Sequence, residues 1–303
     1  MVKKKHDEIL DQLRKKFAQF STRALQGISP TDFQYAIESR IGIIDAQSEG
    51  YEEKELKYQR DLSVKYHWGH DHDFGNFKIK GRMGERHINL LANFIDLFPV
   101  SPDDFNGKDV LDIGCWTGGT SLLLAALGSN VFAIEEVNKY AETVSFLSES
   151  FGLTNKISVQ SSSLYNCNLE EFHGKFDIAY FPGVIYHLSD PVLALRILYN
   201  SLKIGGFIVI ESAGINSQEP LCRFEGSGIY HTGSQADAKE NLNRGGWNWF
   251  LPSPSALSRM MREAGFEEIQ TQWHNTSNRL YGFGRKVSQT GICKAGLSIT
   301  NIN

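Results

Sequence analysis

Short apolar runs alternate with amphipathic stretches from residue 109 to residue 285. Runs with the length and composition of buried strands lie at 110–115, 130–135, 157–160, 176–181, 205–211, 268–274 and 279–285. Stretches with helical spacing lie at 120–128, 138–151, 191–202 and 255–264. Strands that alternate with helices at this spacing form βαβ units. The pattern therefore predicts an α/β fold built on a doubly wound, mostly parallel, seven-stranded sheet.

The segments outside this pattern have a different character. Residues 1–60 are charged and helical in spacing, and residues 61–107 form an aromatic and histidine-rich connector with a helix near 85–98. Residues 212–252 are rich in Gly, Asn and Trp and interrupt the strand–helix alternation. The sequence thus predicts an N-terminal helical extension and cap at 1–107, a main domain at 108–286 with a lid insertion at 212–252, and a polar tail at 287–303.

Composition narrows the classes of partner. The chain has 303 residues and a formal net charge of −4, whereas a dedicated nucleic-acid binder usually carries a basic surplus. No run is long and apolar enough to span a bilayer, and the N-terminus lacks the apolar stretch of a secretory leader. The four cysteines are far apart in sequence and match no zinc motif. These features predict a cytoplasmic protein with no membrane partner.

The first predicted strand ends in a glycine-rich loop, which reads Asp112-Ile113-Gly114-Cys115-Trp116-Thr117-Gly118-Gly119. Gly114 and Gly118 allow the backbone to approach a ligand closely, and the following helix points free N–H groups at it. Glu135 ends the second strand 23 positions after Asp112, close to the roughly 20 expected of a ribose-binding acid. The spacing predicts a nucleoside ligand. A dinucleotide such as NAD is disfavoured, because its fingerprint needs glycine where the chain has Trp116.

These motifs resemble those of a known enzyme family. The segments LDIGCWTGG, AIEEV, GVIYHLSDP, LKIGG and WFLPS…MMREAGF are similar to successive motifs of class I S-adenosylmethionine-dependent methyltransferases. Within that family they resemble the branch of the bacterial tRNA wobble-uridine carboxymethyl- or methyltransferase and its small-molecule relatives. The resemblance implies the Rossmann-like methyltransferase fold and S-adenosylmethionine as the cofactor. It indicates cofactor contacts from Asp112, Gly114, Cys115, Trp116, Gly118, Glu135, Ser162, Gly183 and Trp68.

The loop after the fourth predicted strand contains the candidate catalytic residues, Tyr186 and His187. Methyl transfer from a sulfonium is an in-line displacement, so it depends mainly on alignment of the acceptor with the methyl group. A hydroxyl or ammonium acceptor must also lose a proton, and a histidine has a suitable pKa range for that role. Tyr186 is expected to contact the sulfonium or the acceptor. The alternative is that both residues only anchor the loop to the next helix.

One residue departs from the tRNA-modifying branch. There, the residue after the Tyr-His pair is basic and is thought to hold the extra carboxylate of a carboxylated cofactor. This chain has Leu188, which favours ordinary S-adenosylmethionine. Arg279, on a late strand, could still match another basic position of that enzyme, so both cofactors remain open.

Residues 67–73 concentrate histidine and aspartate. A metal site is one interpretation, but no complete ligand set is recognisable, and we expect no metal. By the resemblance, Trp68 and His70 fold over the cofactor or substrate; a structural role is the alternative. We expect the lid and the late strand to contribute further substrate contacts. The candidate substrate-binding residues are His70, Tyr230, His231, Trp247, Trp249 and Arg279.

Three functions remain open from the sequence. The favoured one is methyl transfer to oxygen or nitrogen of a small metabolite or natural product. The second is modification of tRNA, supported by the branch resemblance and by the basic residues of the first helix, and opposed by the acidic balance and Leu188. The third is a cofactor-binding protein without turnover. A homo-oligomer is compatible with all three.

Overall fold

The computed structural model describes residues 2–45, 64–167, 169–225 and 248–289. Three residues of the predicted lid, Tyr230, His231 and Trp247, lie outside these ranges, as does most of the predicted tail. Within them, no helix has the length and apolar character needed to cross a membrane.

The N-terminal third combines helices with very short strands. Its elements are α1 (Val2–Phe17), α2 (Pro30–Glu38), β1 (Ile44–Asp45), β2 (Val64–Lys65), β3 (His72–Asp73), β4 (Lys78–Ile79) and α3 (Arg86–Leu97). α1 buries one apolar face, which includes Leu13 and Phe17. α2 begins with two residues that favour a helix N-terminus. Ser29 is the N-cap, and its hydroxyl accepts a hydrogen bond from the Asp32 N–H; Pro30 takes the first helical position.

Strands and helices then alternate as predicted. The elements are β5 (Asp109–Ile113), α4 (Gly119–Ala126), β6 (Asn130–Glu135), α5 (Asn138–Ser150), β7 (Ile157–Ser161), α6 (Leu169–Phe172), β8 (Phe176–Pro182), α7 (Pro191–Ser201) and β9 (Leu202–Ser212). After them come β10 (Cys222–Phe224), β11 (Phe250–Pro252), α8 (Pro254–Glu263), β12 (Glu267–His274) and β13 (Arg279–Arg285). β10 and β11 pair with each other at the two ends of the predicted lid insertion.

The main sheet has seven strands in the order β12-β13-β9-β8-β5-β6-β7. β5, β8 and β9 run parallel, as do β6 and β7, whereas β13 is antiparallel to β9 and to β12. This confirms the predicted mostly parallel α/β sheet. The antiparallel pairing of β12 with β13 follows from the short connection between them, because parallel strands need a long crossover.

The fifth predicted strand is longer than its pattern indicates. We predicted a Gly-Gly turn at 205–206 followed by a strand, but β9 runs through both glycines from Leu202. Gly205 has a φ of 85°, and its N–H bonds the carbonyl of Lys286, so it marks a register shift inside the strand.

The chain divides into two compact units. The N-terminal unit comprises residues 1–108 and 114–163, and the C-terminal unit comprises residues 109–113 and 164–303. Leu13, Ile37 and Leu91 are fully buried in the core of the first, and Leu111, Ala179 and Ile208 in the core of the second. Each unit contains one group of the predicted site residues.

Candidate active site

The glycine loop of the N-terminal unit, residues 114–118, is a tight turn with three left-handed residues. Gly114, Trp116 and Gly118 have φ values of 71°, 52° and 84°. The Gly118 N–H closes the turn on the Cys115 carbonyl at 2.9 Å. A left-handed tryptophan costs roughly 1–2 kcal/mol relative to ordinary backbone, so other contacts must hold it. Trp116 is half-buried, while Cys115 is buried beneath the turn.

Glu135, at the end of β6, holds this turn. Its Oε2 accepts the Trp116 N–H at 2.8 Å, and its Oε1 accepts the Val137 N–H at 3.0 Å. A carboxylate oxygen can accept more than one hydrogen bond, and an acid at the end of this strand is the kind of group that binds ribose hydroxyls. The residue that fits a nucleoside therefore also shapes the loop beside it.

Two further predicted cofactor residues lie near the end of β7 and within the N-terminal cap. The Ser162 N–H donates to the Glu135 carbonyl at 3.1 Å, and its hydroxyl accepts from the Gln160 amide at 3.0 Å. Trp68 is buried, and its indole meets the His72 ring edge-on at 5.3 Å. Ser162 is thus beside Glu135, whereas Trp68 packs in the core of the unit; its contact with a cofactor stays a prediction.

The segment after Trp68 supports the glycine loop from inside the unit. The Gly69 N–H donates to the Thr117 hydroxyl at 2.9 Å, and a Cβ on Gly69 would lie 2.7 Å from the Trp116 ring. The His70 ring lies 5.8 Å from that of Trp116. His70 is buried and packs against the loop, so its predicted contact with a substrate stays untested. Sequence reasoning missed Thr117, whose pairing with Gly69 spans 48 positions.

The second group of site residues, the Tyr186 cluster, lies in the C-terminal unit and comprises Tyr186, His187, Glu211, Trp249 and Arg279. After β8, the Gly183 N–H bonds the Glu211 carbonyl at 2.8 Å, and a single 3₁₀ turn, Ile185–His187, follows. The Tyr186 and His187 rings lie 4.0 Å apart and both side chains are half-buried. The Trp249 N–H donates to the Tyr186 carbonyl at 2.8 Å. The structure thus brings four predicted residues together, with Glu211 as the one that was not predicted.

Arg279 is the cation of this cluster. Its Nε donates to the Glu211 carboxylate, and its guanidinium carbon lies 4.9 Å from the centre of the Tyr186 ring. Burial alone would lower the pKa of Arg279, but Glu211 and Tyr186 raise it above its ordinary value. Its Nη2 is buried with no hydrogen-bond partner among the described residues. The cluster therefore has an aromatic face and one guanidinium nitrogen, Nη2, that could donate to a ligand. Sequence reasoning missed Glu211, although an acid at the end of an apolar strand was visible.

Comparisons with known proteins identify the family of the chain. A family model described as a methyltransferase domain matches residues 83–271, which is more than half of the chain. The chain belongs to this methyltransferase domain family, and its homologues bind S-adenosylmethionine or its demethylated product. The chain thus contains a domain of the S-adenosylmethionine-dependent methyltransferase type.

Individual relatives give finer similarities. The chain is 30% identical to the tRNA U34 carboxymethyltransferase of Desulfotalea psychrophila over 55% of this chain and 47% of that one. It is 28% identical to the ubiquinone biosynthesis O-methyltransferase of Nitrosospira multiformis over 59% of this chain and 72% of that one. The chain spans about half the length of the tRNA-modifying relatives it matches. Among solved structures, the N-terminal domain of EvdMO1 with SAH bound superposes with a TM-score of 0.51 at 19% identity, covering 72% of this chain and 91% of that one, which shows the fold.

Substitution of Glu135 tests the cofactor site. We expect Glu135→Ala to weaken binding of S-adenosylhomocysteine by at least roughly tenfold, about 1.4 kcal/mol, because the ribose loses its acceptor and the Trp116 N–H loses its partner. Isothermal titration calorimetry measures this directly. Glu136→Ala, at the exposed neighbouring position, is the matched control and should bind as wild type. Equal affinities for all three proteins would remove Glu135 from the cofactor site.

Chelation tests the prediction that no metal takes part. In the described ranges, no group of three or more His, Cys, Asp or Glu side chains is arranged to hold an ion. Displacement of a methyl group from a sulfonium also needs no Lewis acid. We expect full methyl-transfer activity after exhaustive dialysis against a chelator, and elemental analysis without stoichiometric zinc, nickel or iron. Loss of activity that the metal restores would contradict this.

Proposed function

We propose that the chain transfers a methyl group from S-adenosylmethionine to a uridine of tRNA, instead of to the small metabolite favoured by the sequence alone. The single observation that carries this proposal is the similarity to tRNA U34 carboxymethyltransferases from several bacteria, at 25–32% identity. The family match spans both the glycine loop and the Tyr186–His187 pair. The basic side chains near the end of α1 add a surface for phosphates.

The residues of the two groups fit the steps of such a transfer. S-Adenosylmethionine supplies a methyl group bonded to a positively charged sulfur. Glu135, at the end of β6, stands where a carboxylate can accept the ribose hydroxyls, and the left-handed turn at Trp116 lies beside it. In the proposed reaction, His187 takes the proton from the acceptor oxygen while that oxygen forms its bond to the methyl carbon. The cofactor would supply the methyl group and keep the electron pair of the broken carbon–sulfur bond, which would neutralise its sulfonium.

The Tyr186 cluster supports ordinary S-adenosylmethionine over a carboxylated form. Recognition of an extra carboxylate would need a cation in excess of the local anions. Arg279 is already paired with the buried Glu211, and the position after His187 is the uncharged Leu188. One Nη2 donor remains, which suits a carbonyl or hydroxyl oxygen of the acceptor. A competition assay with both cofactors tests this choice.

The proposal is tested by labelling. The purified protein is incubated with S-adenosylmethionine carrying a radioactive methyl group and, in parallel, with bulk tRNA or with a protein-free small-molecule extract. The tRNA is then digested to nucleosides and analysed by mass spectrometry. We expect a methylated uridine derivative in the tRNA arm. Label confined to the small-molecule arm would overturn the tRNA proposal.

A small-metabolite acceptor is the second candidate. It is favoured by the similarity to a ubiquinone biosynthesis O-methyltransferase, of which the chain covers the larger share, and by the net charge of −4. Under this alternative, tRNA remains unlabelled and a methyl ether or methylamine appears in the extract.

Charge reversal on α1 separates the two candidates by binding. Lys15 and Lys16 are exposed at the end of α1, so their replacement leaves the core intact. If tRNA phosphates contact this surface, Lys15→Glu with Lys16→Glu should weaken tRNA binding and lower the slope of log affinity against log salt by roughly two. Filter binding over a salt series measures this, and cofactor affinity is the control. An unchanged slope would place the RNA elsewhere.

A further inference from the structure

Three histidines share one buried cluster in the N-terminal unit. His70 is 3% exposed, His72 is 3% exposed and His87 is fully buried. The His70 and His87 rings lie 4.6 Å apart, and the His72 and His87 rings lie 6.3 Å apart and nearly parallel. Phe17 of α1 packs edge-on against His87 at 4.5 Å and against His72 at 5.1 Å. The imidazoles are therefore packed as core side chains.

None of the six ring nitrogens of this histidine cluster has a hydrogen-bond partner among the described residues. A neutral imidazole has one donor and one acceptor, so burial leaves both without a partner. A shared metal ion is not the explanation supported by the geometry, because the described side chains include no group arranged to hold one. The rings instead meet Phe17, Trp68 and Phe74.

Nearby charges do not provide a counter-ion. The charge of Asp71 acts to raise the pKa of His72. The Asp71 carboxylate, however, is bound by Lys80 at 2.6 Å and by the Gly81 N–H. Arg86 adds positive charge beside His70. Two ion pairs on the surrounding elements, Arg14 with Glu85 and Lys78 with Asp73, lie at the surface, and Lys15 and Lys16 of α1 are exposed cations. The first turn of α4 has no acidic residue. A proton on this cluster would thus be buried without an anion.

The cluster touches the glycine loop through His70. A Cβ placed on Gly119 would lie 2.6 Å from the His70 Nδ1, so the imidazole rests against the first residue of α4. The same ring lies 5.8 Å from that of Trp116. The start of a helix has a positive partial charge, which opposes a second positive charge there. The protonation state of His70 and the shape of the loop are consequently coupled.

We propose that His70, His72 and His87 form a proton-sensitive support for the glycine loop, which holds the cofactor only while all three imidazoles are neutral. Protonation would separate the rings from Phe17 and Trp116 and release the loop. The proposal rests on cofactor binding at the glycine loop and does not depend on which acceptor is used.

The sign of the effect follows from burial. Burial lowers the pKa of His70 and of His72 to about 3 and lowers that of His87 as well. A loop-released state, in which the rings reach water, would have pKa values near 6.5. The state with the loop in place therefore binds fewer protons than the released state. It is favoured above about pH 6.5, and its population decreases as the pH falls below that value. Each histidine that reaches water in the released state shifts the equilibrium toward that state by a factor of roughly ten between pH 8 and pH 5.5, so the three together can lower the affinity by up to roughly 10³-fold over this range.

Calorimetric titration with S-adenosylhomocysteine from pH 8 to pH 5.5 tests the proposal. We expect affinity to fall at least tenfold over this range in the wild type, and to fall less in His72→Phe, which keeps an aromatic ring beside Phe17 but cannot be protonated. His173→Gln, at an exposed position, is the matched control and should follow the wild-type profile. A flat wild-type profile would overturn the proposal, as would a His72→Phe profile that is displaced but equally steep.

A second measurement uses the wild type alone, so it does not depend on the folding of a variant. If the cofactor selects the neutral cluster, binding at pH 5.5 to 6 must release protons. Titrations in two buffers of different ionisation enthalpy measure the number released. We expect a clear release at pH 5.5 to 6 that disappears by pH 8. Zero release across the range, or a stoichiometric metal ion bound to the histidines, would contradict the proposal.

Discussion

Turnover is expected to fall by roughly 10²–10⁴-fold when His187 is replaced with alanine, with cofactor affinity nearly unchanged. The imidazole lies 4.0 Å from the Tyr186 ring, in the loop directly after β8. Removal of a general base costs most where the acceptor holds its proton. The loss should therefore shrink at high pH, where the acceptor ionises without help. Initial rates of methyl transfer between pH 6 and pH 10 measure both effects.

The opposite pattern would assign His187 a structural role. A loop anchor would lower thermal stability and cofactor affinity together, and its pH–rate profile would keep the wild-type shape. His274→Ala is a matched control, because it removes a half-buried imidazole in the same unit, whose Nδ1 is within hydrogen-bond distance of the Ser277 hydroxyl. A His187→Ala protein that turns over like this control would exclude His187 as the base and leave positioning by the Tyr186 cluster.

Glu211→Ala is expected to destabilise the protein by about 3–5 kcal/mol. Glu211 is fully buried and is the ion-pair partner of Arg279, whose pKa stays raised because of it. Removal of the carboxylate leaves a largely buried guanidinium without its anion, and the cost of that charge exceeds the value of the pair itself. Urea unfolding, followed by tryptophan fluorescence, gives the change in the free energy of unfolding.

Two further variants separate burial from charge. Glu268→Ala breaks the exposed ion pair with Arg285 and should cost less than about 1 kcal/mol. Glu211→Met combined with Arg279→Met removes both charges and should recover much of the stability lost in the single variant. A Glu211→Ala protein as stable as Glu268→Ala would show that the ion pair of Glu211 with Arg279 does not contribute to stability. A double variant less stable than Glu211→Ala would contradict the explanation by an unpaired buried charge.

Much of the sheet could be predicted because its signals are local. The run at 279–285 coincides with β13, and that at 130–135 with β6, since β-branched and aromatic residues in a short apolar stretch favour a buried strand. The glycine loop was recognisable for a similar reason. Gly114 and Gly118 have left-handed backbone, which favours glycine, so the turn is visible in the sequence.

The contacts that complete each site are non-local and left little trace in the sequence. Glu211 and Arg279 are 68 positions apart and meet because β9 and β13 pair in a register that sets Tyr281 opposite Glu211. His87, from α3, joins His70 and His72 only through tertiary packing. The dense histidine segment at 67–73 therefore invited a metal interpretation, when much of it packs against aromatic rings of the core.

The most direct test of the central account is a structure of the protein with S-adenosylhomocysteine, supported by a parallel titration with NAD. The account predicts a single bound nucleoside whose ribose hydroxyls contact Glu135, with the amino-acid end beside the glycine loop, and no detectable binding of NAD. A ribose that makes no contact with Glu135, or a chain that binds NAD and not S-adenosylhomocysteine, would contradict it.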